Sequence, residues 1–318
     1  MSLQVFNEYL NTSRTEVVAQ AVDKFNAASN GTVTLSAGAN QGDYNVEAFY
    51  TAIGDLVRRR NQYGSGAVTA SDIAQLNESS VKVGAGTPPI NHPPSWWTWM
   101  QKSPEEAGVI LGRQLGVAQT QDLLNTAISG AAAAMQGVGA DVVYDGSAAV
   151  ASLSNLSKAT ALFGDRSQAL GGWVMHSKVF HDLEQAGLAN SSRLFTFENV
   201  TIMQDASGRP FVVTDSPSLV VSAAGVEDQY LTMGLVRGAV NVEMNGDFTD
   251  NVQVINGDEN LLRTYQAEWS YNLGIKGFEW DRTNGGKSPN NAAIGTATNW
   301  DKTATDIKDT AGVMLQSL

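Results

Sequence analysis

A few places in the sequence carry residue types able to do chemistry. His176 and His181 lie five apart and Asp182 follows, a set that suggests a metal or base site. Two ligands on one helical face need a spacing of four, and five does not provide it. The third histidine, His92, sits in a proline-rich stretch. His176 is therefore expected to end a strand as a capping or satisfied polar residue. Gly285-Gly286-Lys287-Ser288 has the ending of a phosphate loop, whose backbone N–H groups would cradle an anion. That motif needs a glycine where Asp281 stands, and Pro289 blocks the helix that should follow, so a polar loop is expected. Asp247, Asp250, Asp258 and Glu259 gather beside two turn signals, Asn245-Gly246 and Asn256-Gly257. Closeness in sequence does not make an acid/base pair, and a solvated turn region is the expectation. GxSxG, HExxH and acidic calcium loops are all missing from the sequence.

Two further clusters could bind rather than catalyse. Arg58, Arg59 and Arg60 could hold phosphate, but such a run more often forms a solvated face or meets an acidic neighbour, here expected on another subunit. Trp96, Trp97 and Trp99 could stack on bases or sugars, and anchoring is the expected role. The net charge of −12 argues against tight direct binding of nucleic acid, though not against a wall that encloses it. The chain has no cysteine, which excludes disulfides and thiolate metal sites. Met1 to Leu10 reads as no signal peptide, and the apolar run Ala131 to Ala134 is too short to span a membrane. No cofactor is expected.

The element on which everything else is organised runs from Ser103 to Gly137. Ser103 is an N-cap type, Pro104 suits the first helical position, and Glu105 and Glu106 favour the positive end of the helix dipole. A helix over this stretch is about 50 Å long. Ile110, Val117, Leu124, Ala127, Ile128, Ala131 and Met135 form an apolar stripe, and Gln119, Asp122, Asn125 and Ser129 lie away from it. Gly108, Gly112 and Gly116 recur every fourth residue and leave a bare face on which something should pack close to the backbone. A helix of this length reads as a spine.

Residues 1–45 read as an arm, with a short amphipathic helix from Thr15 to Phe25 and little core of its own. Phe49, Ala52, Ile53, Leu56 and Val57 suggest another short helix, and from there to Pro94 an extended, projecting loop or hairpin is expected, with Val81 to Val83 as strand. Residues 141–231 alternate short elements as a compact α/β domain: helices over Leu153–Phe163 and Ser177–Leu188, strands over Gly172–His176, Val200–Gln204 and Phe211–Thr214, and a turn at Asp205 to Gly208. Leu231 to Val242 is strand-like. Arg263 to Ile275 alternates cleanly for roughly 43 Å, and the phase then flips at Gly277, which suggests a bulge or bend. Beyond Arg282 the sequence is rich in Asn, Gly, Thr and Ala, and its one helical hint is Thr303 to Leu315.

This order of parts resembles the major capsid protein of tailed bacteriophages, the Hong Kong 97 like capsid fold of class α+β. The resemblance also rests on phrases. Gly172-Trp173-Val174-Met175-His176-Ser177-Lys178-Val179-Phe180 resembles the axial-domain strand and helix, and Gly208-Arg209-Pro210-Phe211-Val212-Val213-Thr214-Asp215-Ser216-Pro217 its hairpin and following turn. Tyr271 to Trp280 resembles the closing peripheral strand. The implied layout is an N-terminal arm 1–45, an extended loop 46–102, a spine helix 103–140, an axial domain 141–231, peripheral long strands 232–285 and a C-terminal tail 286–318.

The implied function is structural and not enzymatic. Copies would assemble as hexamers and pentamers into an icosahedral shell around double-stranded DNA, without sequence-specific binding and away from membranes. Shells would form in the host cytoplasm and end as the virion capsid. A portal, a separate scaffolding protein and decoration proteins are implied partners; the scaffold follows from a sequence that begins at Met1. Arg58, Arg59, Arg60, Lys82, Trp96, Trp97, Gly108, Gly112 and Gly116 are the candidate subunit-interface residues. In some members the loop is cross-linked between subunits; Lys82 is a loop lysine, and no partner for it can be named. The rivals are an encapsulin-like nanocompartment shell, an α/β enzyme with a site near His176 and Asp215, and a decoration or tail protein.

Overall fold

The computed structural model describes residues 3–38, 42–50, 58–70, 75–92, 103–185, 192–197, 200–204, 209–222, 227–257, 259 and 261–318. Along the chain, α1 (Leu3–Ala28) leads to strands β1 (Val33–Ala37), β2 (Tyr44–Tyr50), β3 (Gln75–Gly86) and β4 (Ile90–His92). The spine α2 (Pro104–Val138) follows, then β5 (Val143–Gly146), α3 (Leu153–Ala161), β6 (Leu170–Met175) and α4 (Ser177–Gln185). Next come β7 (Ser192–Phe197), β8 (Val200–Gln204), β9 (Pro210–Thr214), β10 (Val220–Val221), β11 (Gln229–Val236) and β12 (Val240–Met244). The chain continues through β13 (Thr249–Ile255), β14 (Leu262–Ile275), β15 (Phe278–Trp280), α5 (Asn291–Ile294), β16 (Trp300–Lys302) and β17 (Gly312–Ser317).

The spine is built as its end signals require. The Ser103 hydroxyl accepts from the Glu106 N–H, and Glu106 reaches back to the Ser103 N–H, a complete capping box. At the other end the helix runs through Gly137, the expected stop, to Val138, and Gly139, at φ 74°, caps it. Its 35 residues span about 52 Å. The C-terminal half of the apolar stripe, Leu124 to Met135, is buried. Ile110, placed on that stripe, is 42% exposed, and Gln119, placed off it, is 4% exposed. The reason is that the helix serves two different neighbours along its length, so one stripe does not describe both halves.

Two sheets flank this helix. The peripheral sheet is centred on the 14-residue β14. One edge of β14 pairs with β12 and β13, the other with β3, β4 and β15. β1 adds in parallel to β12, and β2 adds to β3. The axial sheet runs β5-β17-β11-β6-β9-β8-β7. Val81, Leu273, Ile275 and Val242 of the first sheet share one apolar core with the spine and with Val174, Met233 and Val313 of the second.

The phase flip at Gly277 is a chain reversal rather than a bulge. Ile275 pairs with Phe278 across a two-residue turn, and Gly277 adopts φ 78°. Leu231 to Val242 is divided, because Gly238 (φ 65°) sends β11 to one sheet and β12 to the other. Thr303 to Leu315 forms no α-helix, only a single 3-10 turn at Ile307–Asp309. It ends in β17, buried between β5 and β11 inside the axial sheet. The region beyond Arg282 is thus a structural part of both sheets, through β16 and β17. The amphipathic helix of the first segment is longer than Thr15–Phe25, and its apolar residues are buried on the chain's own spine. Phe49 lies on strand β2, not a helix; positions 51–57, on which the rest of that reading rests, fall outside the described residues. So does the turn at 205–208, although β8 and β9 pair antiparallel on either side of it.

Candidate functional site

The glycine face of α2 is occupied by α1. A Cβ on Gly108 would stand 2.7 Å from the Phe6 carbonyl oxygen, on Gly112 2.3 Å from that of Leu10, and on Gly116 3.1 Å from that of Arg14. The close neighbour that the glycines call for is therefore the chain's own first helix. Their expected place in a subunit interface gives way here to an intrachain seam. Polar groups fix the register of that seam. Ser13 Oγ donates to the Val109 carbonyl at 3.2 Å, and outside the seam Asn11 ties α1 to β13 by donating to Asp250 at 3.1 Å. Arg14 donates to Gln119 at 2.9 Å while its guanidinium lies 3.5 Å over the Phe248 ring. Burial pulls the Arg14 pKa down, and the charges of Tyr265 and Asp250 act in the opposite direction.

Where the spine crosses β14, the Tyr271 hydroxyl donates to Asp122 at 3.0 Å and lies 2.9 Å from Thr126 Oγ1. Burial raises the Asp122 carboxyl above its usual range, and burial followed by the Asp122 charge raises the Tyr271 phenol. Beside this pair runs a groove of about 740 Å³, lined by Val83, Pro88, Leu115, Trp269 and Asn290 among others.

In the stretch expected to project, the described residues form the antiparallel strands of a hairpin. β2 and β3 pair from Tyr44↔Val81 to Tyr50↔Gln75. Its base is better anchored than its sequence suggested, since Val81 and Val83 are in the core and β3 pairs with β14. Residues 58–70, within its distal part, are exposed throughout, Tyr63 at 95%. Arg58, Arg59 and Arg60 begin this segment as exposed coil. Lys82 sits not on the projection but in the sheet, opposite Asn272 of β14. Trp96, Trp97 and Trp99 lie outside the described residues.

The candidate chemistry resolves into structural contacts. His176 Nδ1 accepts the Lys178 N–H at 3.2 Å, the capping role expected of it. Ser177 Oγ bonds Asp215 directly, and His176 Nε2 stands 3.6 Å from the same carboxylate. In a hydrolytic triad the histidine must lie between serine and acid; here the serine goes to the acid itself. His181 pairs with Glu184 and Lys178 with Asp182. No cluster of three metal-ligating side chains occurs among the described residues. Lys287 binds Asp43 at 2.6 Å, and the Gly286 carbonyl accepts from Tyr44 and from Trp280 Nε1, so the glycine-rich loop braces the hairpin. Asp247 caps the Ser270 N–H at 2.8 Å, and Asp258 lies outside the described residues. Among the described residues no helix is long and apolar enough to cross a membrane.

Sequence reasoning missed a set of charges that only the fold assembles. Arg166 meets Asp309, and Lys308 meets Asp165 at 2.6 Å, across more than a hundred residues of chain. No local pattern marks such pairs.

Solved structures share the architecture. The capsid asymmetric unit of cyanophage Pam1 is similar at a TM-score of 0.56 and 10% identity, covering 92% of this chain and 91% of that one. A chain of Mycobacterium phage Adephagia is similar at a TM-score of 0.51 and 10% identity, covering 92% and 90%. One from the capsid of Ralstonia phage GP4 follows at a TM-score of 0.50 and 10% identity, covering 91% and 87%. At such identities the likeness establishes the fold, the Hong Kong 97 like capsid fold. No curated protein matches the sequence. The family model for the major capsid protein 13-like group, Gp13-like, matches residues 2–314, nearly the entire sequence, and the chain belongs to that family of capsid shell proteins.

Proposed function

We propose that copies of this chain assemble as hexamers and pentamers into a closed icosahedral shell around double-stranded DNA. The observation that carries this reading is the hairpin arm. Residues 58–70 hold an exposed tyrosine and three arginines with no core beneath them, an arrangement that makes sense when the segment lies on a neighbouring subunit. The −12 charge fits a container that holds nucleic acid without gripping it. A separate scaffolding protein, a portal and assembly in the host cytoplasm belong to the same proposal. So does a purely structural role without an enzymatic step. The test is to express the chain with and without a candidate scaffold and examine it by light scattering and negative-stain microscopy. Closed shells, or rings of five and six that convert to shells, are the expected outcome. A stable monomer under every condition overturns the proposal. Shells that carry an enzyme cargo and no DNA from infected cells would replace phage capsid with nanocompartment.

A further inference from the structure

The wet face of the peripheral sheet carries a cluster of carboxylates, with Lys82 in the same row as Glu243. The alternation that points Val242, Leu273, Ile275 and Val81 at the spine turns Glu243, Glu78 and Glu47 the other way. These three carboxylates line one hollow of about 190 Å³. They are held in place: Asn241 donates to Glu243 at 2.9 Å, and Glu78 accepts the Gly277 N–H at 3.0 Å.

Immediately beside it lies a basic hollow of about 520 Å³, lined by Arg166, Arg209, Arg237, Lys276 and Lys308. Lys276 lines both hollows, and Gly238 of the acidic one follows Arg237 of the basic one. Asp309 and Asp165 neutralise Arg166 and Lys308. Arg237 is oriented by a 2.6 Å bond to the Asn30 side-chain oxygen, and neither it nor Arg209 meets a carboxylate among the described residues. The surface is therefore one continuous strip with a negative half and a positive half, on a chain whose net charge is −12.

We infer that this strip is a contact between two copies of the chain, the Glu47/Glu78/Glu243 half of one lying against the Arg209/Arg237 half of the other. A strip that carries both signs side by side is self-complementary under a two-fold rotation, which brings each half onto its opposite. Charge complementarity also selects the occupant. DNA would be repelled by the acidic half, and a uniformly charged protein would be repelled by one half or the other. A second copy, turned over, satisfies both. The inference rests on the shell reading, since it names one of the contacts that a shell requires.

The experiment uses two variants of the full chain, Arg209→Glu with Arg237→Glu, which makes the strip predominantly acidic with Lys276 remaining, and Glu47→Lys with Glu243→Lys, which makes it predominantly basic with Glu78 remaining. Circular dichroism melting checks that each folds. Each alone should raise the protein concentration needed for assembly by about tenfold or more, because like charges then face each other. An equimolar mixture of the two should restore assembly toward the wild-type concentration, since the acidic strip now meets the basic one. Unchanged assembly of either variant alone overturns the inference, and so does failure of the mixture. Retardation of a DNA fragment that is lost in the arginine variant, with assembly intact, would assign the basic half to nucleic acid instead and also overturns it. If wild-type chain forms no oligomer at all, it is the shell reading that falls.

Discussion

Replacing Gly112 with alanine sets two effects of similar size against each other. Alanine in a helix interior is about 1 kcal/mol more favourable than glycine, so an unhindered site would be stabilised. The new methyl would lie 2.3 Å from the Leu10 carbonyl oxygen and 3.1 Å from the Leu10 Cα, both backbone atoms that no rotamer change can move aside. Ordinary contact requires α1 to retreat by about 1 Å, a gap that forfeits a quarter to a half of the local dispersion energy. Phe6 and Leu10, at 0% and 1% exposure, are the residues that would lose it. Their burial is worth about 3–6 kcal/mol together, so the loss is about 1–3 kcal/mol. The net expectation is a destabilisation of α1 docking by about 1 kcal/mol, read as roughly fivefold faster amide exchange in residues 6–17. Gly108→Ala should show a smaller effect and Gly116→Ala the smallest, following 2.7 and 3.1 Å. If Gly112→Ala melts higher than wild type and α1 exchange is no faster, propensity has won and the close-packed seam is refuted.

Asp122→Asn should stabilise the fold at neutral pH. Burial holds the Asp122 pKa above its ordinary 3.8, so the folded state favours the proton. The penalty for ionising it grows as pH rises from the ordinary value and is complete above the folded pKa. The gain from asparagine, followed by denaturant titration, should therefore shrink as pH falls toward 4; a gain independent of pH contradicts this. Gly277→Ala forces φ 78° on a residue whose Cβ would sit 2.9 Å from the Thr310 Cα, and about 2 kcal/mol of stability should go with it. Unchanged melting would show that the β14–β15 turn relaxes freely. Truncation after Thr310 removes β17 from between β5 and β11, and an insoluble or unfolded product is expected, where a dispensable tail would leave a folded protein.

The spine was legible because its signals are local. Ser103, Pro104 and Glu106 sit within one turn, and the glycines repeat at the helical period. The alternation of β14 was legible for the same reason. What escaped depends on distant partners. Gln119 looked like a surface residue until Arg14 reached it, and the β17 stretch read as the end of a helical hint because its strand is only Gly312–Ser317 and its neighbours lie far back in the sequence. His176 was legible as a cap at a strand end, and its Nδ1 accepts the Lys178 N–H. The charged strip was illegible in principle, since Arg166, Arg209, Arg237, Lys276 and Lys308 come from separate elements that only the tertiary fold brings round one hollow.

The position of β14 also bears on how fast subunits can be supplied. Its partners come from both ends of the folding problem: β3 and β4 before the spine, β12 and β13 just before it, β15 just after. Pairing Val81 with Leu273 closes a loop that contains the whole spine and most of the axial sheet. Such long-range pairing is slow, because chain entropy must be lost before any bond rewards it. Until it happens the hairpin arm and β12 present open edges, the kind that join wrongly to other chains. Slow refolding that loses yield as protein concentration rises is the expected consequence of this topology.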